Sequence, residues 1–349
     1  MTGLFHLPLR KLASLRVTLT CICVAVAVAL LGDSEGSWPV GVTIAIPFGI
    51  LFLNLLAALA ANVTLRTSPG LFGFHLALAA LALLAAADRL TGLTGHVEVT
   101  EGVSFDPALV EAEVGPFHTW GLDRVRFRQG GFEIAYDPGM KRRGTVSTVY
   151  LPGDDGASYR MEVGDDTPLV IGHYRFYTSF NKGFAPLVTF TDSAGTAHSG
   201  VIHLPSYPLN YYKQGNEWSL PGTDKRVKVW LHLPDEVYVE EEAWRFRKPE
   251  NAVLVVMADG ARHEMQPGET LSLGSGHLRY DELRSWMGYT IAYNPVVPWM
   301  LAAAAVAILC LAWHVIGKIR AAPWDDQAQA RLSQPGTDAD MEGRPAYVR

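Results

Sequence analysis

Two histidines lie in segments that are otherwise apolar: His75 in LFGFHLALAALALLAAA (residues 71–87) and His314 in VPWMLAAAAVAILCLAWHVIG (residues 297–317). An imidazole is expensive in hydrocarbon, so each is a candidate functional residue. Two imidazoles at one depth on different helices are the arrangement of paired axial ligands to a haem iron. The alternative is plainer: each ring bonds a neighbouring helix or reaches for the interface. Matched depth is what favours a shared site. Small residues nearby (Gly73, Ala77, Ala79, Ala80, Ala307, Ala312) would let helices, or a flat macrocycle, approach closely.

Depth depends on the elements that carry the rings. Hydrophobic residues make up 49% of the chain, diluted by a long polar middle. Four apolar segments stand out: residues 16–32, 40–63 (with Pro47 and Asn54 inside), 71–87 and 297–317. A helix needs about 20 apolar residues to cross a bilayer. The second and fourth reach that length; the first and third are near the short limit. The first reads as a span, because no small-residue cleavage site follows it as in a removed signal. Lys and Arg collect in cytoplasmic loops. Arg10, Lys11 and Arg16 precede the first segment, Arg66 lies between the second and third, and Lys318 and Arg320 follow the fourth. The loop between the first two holds Asp33 and Glu35 but no Lys or Arg. Both termini (1–15 and 318–349) are therefore expected in the cytoplasm, with residues 88–296 outside it. His75 and His314 then each fall about one turn from the cytoplasmic end.

The exterior segment alternates like β-structure. Strands are expected around residues 144–151, 159–163, 169–177, 187–191, 226–233 and 252–257. Turn signals separate them, among them Asp192-Ser193-Ala194-Gly195, Pro221-Gly222, Ala258-Asp259-Gly260 and Pro267-Gly268. No long helix is expected there. FEIAYDP (132–138) and YTIAYNP (289–295) echo each other, as two related β units would, or by chance. The expected fold is four transmembrane helices with a large extracytoplasmic all-β, sandwich- or barrel-like domain between helices 3 and 4. Residues 318–349 read as a disordered tail.

Several functions are excluded by what is missing. Cys21, Cys23 and Cys310 all lie in the apolar segments, so the exterior has no disulfide framework. There is no C-x-x-C and no C-x-x-C-H, and no Walker loop, G-x-G-x-x-G or G-x-S-x-G. His198 and His203 are near each other without the other ligands of a metal site. Glu240-Glu241-Glu242 reads as a solvated face. Tyr207, Tyr211, Tyr212 and Trp218 read as packing or, alternatively, as a partner surface.

Several short phrases together resemble the ResB-like family of cytochrome c biogenesis proteins, of the haem-delivery route called system II. They are Leu12-Ala13-Ser14-Leu15-Arg16, Asn54-Leu55-Leu56, Thr64-Leu65-Arg66, His75-Leu76 and Thr94-Gly95-His96-Val97-Glu98-Val99 with Glu101-Gly102. In the exterior segment they are Phe132–Asp137, Ser147–Leu151, Pro168-Leu169 and Gly172–Tyr177. The family's DPG phrase before the last span reads Asn294-Pro295-Val296 here. The resemblance implies an inner-membrane subunit that binds haem b and helps deliver it to apocytochrome c. His75 and His314 would be the haem-contacting histidines. A multi-span partner would carry the tryptophan-rich haem-handling motif that this chain lacks, so the chain is not expected to be an enzyme by itself. No nucleic acid is expected as a partner. Two other readings stay open: a scaffold of the same complex that binds no haem, and a membrane-tethered sensor or binding protein.

Overall fold

The computed structural model describes residues 11–31, 40–119, 121–139, 141–153, 156–205, 215–232, 241–249 and 252–321. The chain divides into two units, residues 1–89 with 296–349, and residues 90–295.

The first unit is helical: α1 (Leu15–Leu31), α2 (Val40–Ala61), α3 (Val63–Thr67), α4 (Pro69–Thr91) and α5 (Val297–Ala321). Three stretches, Gly41–Ala61, Pro69–Thr91 and Val297–Arg320, are long and apolar enough to cross a membrane; Leu15–Leu30 is a shorter apolar helix. At 1.5 Å per residue the 17 residues of α1 reach about 26 Å, short of a hydrocarbon core of about 30 Å. The protein is thus a multi-pass membrane protein. α2 stops at Ala61 because Asn62 turns out of the helix and caps α3, its Oδ1 accepting from Thr64 N–H at 3.0 Å. Pro69, at the first position of α4, restarts the helix where a missing N–H costs nothing.

Neighbouring long helices run antiparallel, and small or polar residues set each crossing. Asn54 of α2 is 1% exposed. Its Oδ1 accepts from Thr18 Oγ1–H at 2.7 Å, and its Nδ2 donates to the Leu12 and Ser14 carbonyls before α1. This one amide therefore joins the Leu12–Arg16 and Asn54–Leu56 phrases. Gly41 lies against the Arg89 carbonyl, where a Cβ would sit 2.9 Å from that oxygen. Gly70 and Gly73 meet α5 in the same way. The start of α1, the end of α2, the start of α4 and the end of α5 consequently share one end of the unit. Lys11, Arg16, Arg66, Lys318 and Arg320 are there too.

The second unit is a β-sheet domain in the chain between α4 and α5. Its strands are β1 (Leu93–Thr100), β2 (Glu111–Val114), β3 (Arg128–Asp137), β4 (Lys141–Pro152), β5 (Ser158–Gly164), β6 (Leu169–Ile171), β7 (Tyr174–Asp192), β8 (Ala197–Val201) and β9 (Leu204–Pro205), followed by β10 (Gly215–Ser219), β11 (Arg226–His232), β12 (Trp244–Phe246), β13 (Val253–Ala258), β14 (Ala261–Met265), β15 (Thr270–Leu273) and β16 (Gly276–Tyr293). They form three sheets: β2-β1-β16-β7-β6 with β8, β9 and β15 attached, β12-β3-β4-β5, and β10-β11-β13-β14. Among the described residues the only helical pieces are two short 3-10 turns.

The backbone of the domain is the antiparallel ribbon of β7 and β16, 19 and 18 residues long. Such strands exceed the usual 5–6 residues, and two register shifts bend them, at Tyr280/Glu282 and Met287/Tyr289. One hydrophobic core runs beneath all three sheets, from Ile134, Phe176 and Tyr289 to Phe190, Leu254 and Leu278. The echoed phrases are stretches of β3 and β16, and the same alternating residues point inward: Phe132, Ile134 and Tyr136 in one, Tyr289 and Ile291 in the other. A buried polar network ties these strands. Tyr289 Oη–H donates to Gln129 Oε1 at 2.8 Å and lies 2.8 Å from Ser147 Oγ, to which Gln129 Nε2 also donates.

Candidate functional site

His75 is the seventh residue of α4, and His314 is seven residues from the described end of α5. Both helices extend beyond the apolar windows, so each ring lies about two turns from its helix end. Both side chains are half-buried. His75 Nδ1 lies 2.8 Å from the Leu71 carbonyl of its own helix. A carbonyl can only accept, so Nδ1 carries the proton and Nε2 keeps a lone pair. The ring packs edge-on against Phe74, centroids 5.4 Å apart. His314 Nδ1 is 2.9 Å from Ser68 Oγ, the residue between α3 and α4. Among the described residues neither Nε2 has a partner. His75 is therefore oriented at Nδ1 with Nε2 open, as second-shell bonds orient ligating histidines. His314 is oriented at Nδ1 too, but the Ser68 hydroxyl both donates and accepts, so either ring nitrogen can carry its proton.

The crossing of α4 and α5 decides how the two rings relate. A Cβ at Gly70 would lie 2.8 Å from the Cys310 carbonyl and 2.9 Å from His314 N, and one at Gly73 would lie 2.6 Å from Cys310 Sγ. The glycines thus bring α4 against α5 directly, with no gap there for a macrocycle. His314 is on the face of α5 that meets α4. His75 is five residues beyond Gly70 and two beyond Gly73, about 140° and about 160° around α4 from them at 100° per residue. His75 accordingly lies on nearly the opposite face of α4 from the α5 contact. Trp299 and Trp313 of α5 are 69% and 64% exposed. They are fourteen residues apart in sequence, about 21 Å along the helix. His314 directly follows the second of them.

The β-sheet domain holds polar clusters that the sequence does not announce. His203 lies between Glu98 Oε2 (2.8 Å from Nδ1) and Thr100 Oγ1 (2.9 Å from Nε2), stacked on Trp286 at 4.8 Å. Asn181 Nδ2 donates to the other Glu98 oxygen at 2.6 Å. A groove of about 450 Å³ opens beside them, with His96, Glu111 and Gly288 in its lining. His198 is elsewhere, 3.7 Å from Asp192, and among the described residues no three metal-ligating side chains converge. Lys182 is buried in β7, donating to the Ser179 carbonyl at 3.0 Å. Burial, reinforced by the nearby Arg142, pushes its amine down to about 8, with Asp165 opposing. Glu101 is held below the usual carboxylate range: bonds from Lys248 and from the Ser285 N–H and hydroxyl outweigh the opposing effect of burial, the largest single influence. Only strand pairing reveals the His203 and Glu101 groups, which draw residues about 80 to 190 positions apart; Lys182 bonds a carbonyl only three residues away. Tyr207, Tyr211 and Tyr212 lie outside the described residues, as does residue 240 of the acidic run; Trp218 packs against the core.

No protein-family model matches the chain, and no curated protein matches it. Among solved structures it is similar to one titled "Cytochrome c Heme Lyase CcmF", with 16% sequence identity and a TM-score of 0.27. That match covers 86% of this chain and 34% of the other, so the chain spans about a third of the length of the structure it matches.

Proposed function

We propose that the chain is a membrane subunit of a cytochrome c biogenesis complex, binding haem b and helping deliver it to apocytochrome c outside the cytoplasm. The observation that carries this reading is the pair of half-buried imidazoles in apolar helices, His75 and His314, each anchored at Nδ1 and, among the described residues, with no partner at Nε2. The resemblance of the chain's short phrases to the ResB-like family supports it. In this reading the basic end of the helical unit faces the cytoplasm, both termini lie there, and the β-sheet domain is extracytoplasmic. A multi-span partner supplies the tryptophan-rich motif and any synthase step.

The donor set fits haem iron one imidazole at a time. Haem supplies the redox-active iron; the chain's residues orient a neutral nitrogen towards it and hold that nitrogen in an apolar setting. A clamp of both rings on one iron requires α4 to turn about its axis, because His314 packs against the glycine face of α4 and His75 lies on nearly the opposite face. His75, on the face away from α5, suits a haem held between α4 and a partner.

The scaffold reading has one observation in its favour. The His314–Ser68 bond ties α5 to the α3–α4 junction at the glycine crossing, a structural task by itself. Purified full-length protein, alone and with its partner, separates the two readings. A low-spin haem b spectrum lost in His75→Ala, and lost or shifted in His314→Ala, is the expected result. Wild-type protein without haem, with cytochrome c assembly intact in both variants, would leave the scaffold.

A further inference from the structure

One end of the β-sheet domain carries groups that neither the imidazoles nor the polar clusters use. Pairing defines that end. Leu93 is opposite Tyr293, and Tyr293 is opposite Tyr174. The first residues of β1 and β7 and the last of β16 therefore lie side by side, where the chain arrives from α4 and departs for α5. The loop after β2 is laced to the arriving chain: Gly115 N–H donates to the Gly92 carbonyl at 2.9 Å, and Phe117 N–H to the Leu90 carbonyl at 2.8 Å. Leu90 belongs to the last turn of α4. The next residue is held as well. His118 Nδ1 lies 2.8 Å from the Thr91 carbonyl, its Nε2 lies 3.1 Å from Tyr174 Oη, and its ring stands edge-on to Tyr293 at 4.7 Å.

The backbone is pinned on both sides of Phe117, and its side chain is 69% exposed. A fixed, exposed phenyl group is a cost in water and a gain at a membrane interface. Its N–H is bonded to Leu90, where the chain enters the domain from a helix long and apolar enough to cross the bilayer. Beside it is a groove of about 390 Å³, lined by Thr119, Gly121, Arg124, Gly172, His173 and Tyr293, among others. Arg124 and His173 are exposed at its rim, on the 3-10 turn before β3 and the turn before β7. A guanidinium, an imidazole and a hydroxyl around a small groove suit the oxygens of a phosphate diester.

We propose that this end of the domain is a lipid-contacting surface: Phe117 enters the interfacial layer and the Arg124–His173 groove receives a phospholipid headgroup phosphate. The proposal rests on the membrane-spanning character of α4 and is independent of haem.

The test uses full-length protein in nanodiscs of phosphatidylcholine and phosphatidylglycerol, with Cys21, Cys23 and Cys310 replaced by Ala. Spin labels are placed singly through Phe117→Cys and Phe180→Cys. Phe180, on the β7 segment between the paired residues Thr178 and Lys182, is 70% exposed and serves as the comparison. The label at 117 is expected to be open to oxygen and shielded from a nickel chelate, and the label at 180 the reverse. Equal nickel access at both positions overturns the proposal. A second arm needs no change at Phe117. Phosphatidylglycerol with a photoreactive headgroup should cross-link to residues 115–124, and Arg124→Ala should reduce that yield about fivefold, the weight of one basic residue at an anionic surface. Yield unchanged by Arg124→Ala overturns the headgroup assignment. So does competition by inorganic phosphate at the lipid's own concentration, which would identify a free-anion site.

Discussion

The two units of the molecule are held together by different means. In the β-sheet domain the core is continuous, and Phe176, Phe184, Phe190 and Phe246 are fully enclosed. In the helical unit contacts are points: Asn54 on the chain before α1, Gly41 on Arg89, Gly70 and Gly73 on Cys310 and His314. Only 6% of the apolar window of α5 is buried within the protein. Water drives apolar groups together; lipid does not, so helices meet where small residues allow close contact or a side-chain hydrogen bond pulls them together. The exposed faces of α5 are thus open to lipid or to another membrane helix.

The largest effect that tests this contrast comes from the aqueous core. Phe176→Ala should lower the stability of the β-sheet domain by about 3–5 kcal/mol. Leu309→Ala, at a site 69% exposed on α5, should change stability by less than about 0.5 kcal/mol. Denaturant midpoints of the full chain followed by near-ultraviolet circular dichroism would check both, and comparable losses would erase the distinction.

A smaller effect, of opposite sign, concerns Lys182. Its amine titrates near 8 when folded, against an ordinary 10.5. Between those values the unfolded chain binds more protons, so stability should rise with pH from about 8 to about 10.5 and be flat below. Lys182→Met should remove that slope and add about 2 kcal/mol at pH 7, because a desolvated cation no longer has to be accommodated. A variant that is less stable at pH 7, or that keeps the slope, would show that Lys182 belongs to a compensated ion network with Arg142 and Asp165.

The smallest effect tests the helical side. Asn54→Leu should weaken the hold on α1 by about 1 kcal/mol. The readout is maleimide labelling of Cys21, buried at 7% exposure, expected to quicken about fivefold for that energy. Cys23, already exposed, is the internal control. An unchanged Cys21 rate would mean that packing between α1 and α2, rather than the amide, sets this crossing.

Much of the architecture was legible because period and punctuation agreed. Residues 144–151 and 159–163 fall within β4 and β5, 226–232 is β11 with expected residue 233 outside the described residues, and 252–257 begins one residue before β13. Asp259-Gly260 is a turn with both φ values positive, as that dipeptide implies. The stretch 169–177 read as one strand because only Gly172, at φ +61°, marks the reversal between β6 and β7. The length of β7 stayed hidden because the exposed bulge around Phe180 interrupts its alternation. At the candidate site, sequence located both imidazoles on the long helices. It could not give their faces, since the Gly70–Cys310 approach is a long-range contact with no local signature. The Glu98–His203 pairing escaped for the same reason.

The pairing of Leu93 with Tyr293 carries a consequence for the history and engineering of this chain. The two ends of the β-sheet domain are adjacent, so some 200 residues can be excised or exchanged by a single splice that leaves α4 and α5 joined by a short bridge. A lineage could therefore resize or swap its aqueous portion without redesigning the helical host, and a designer can graft a foreign domain at the same seam.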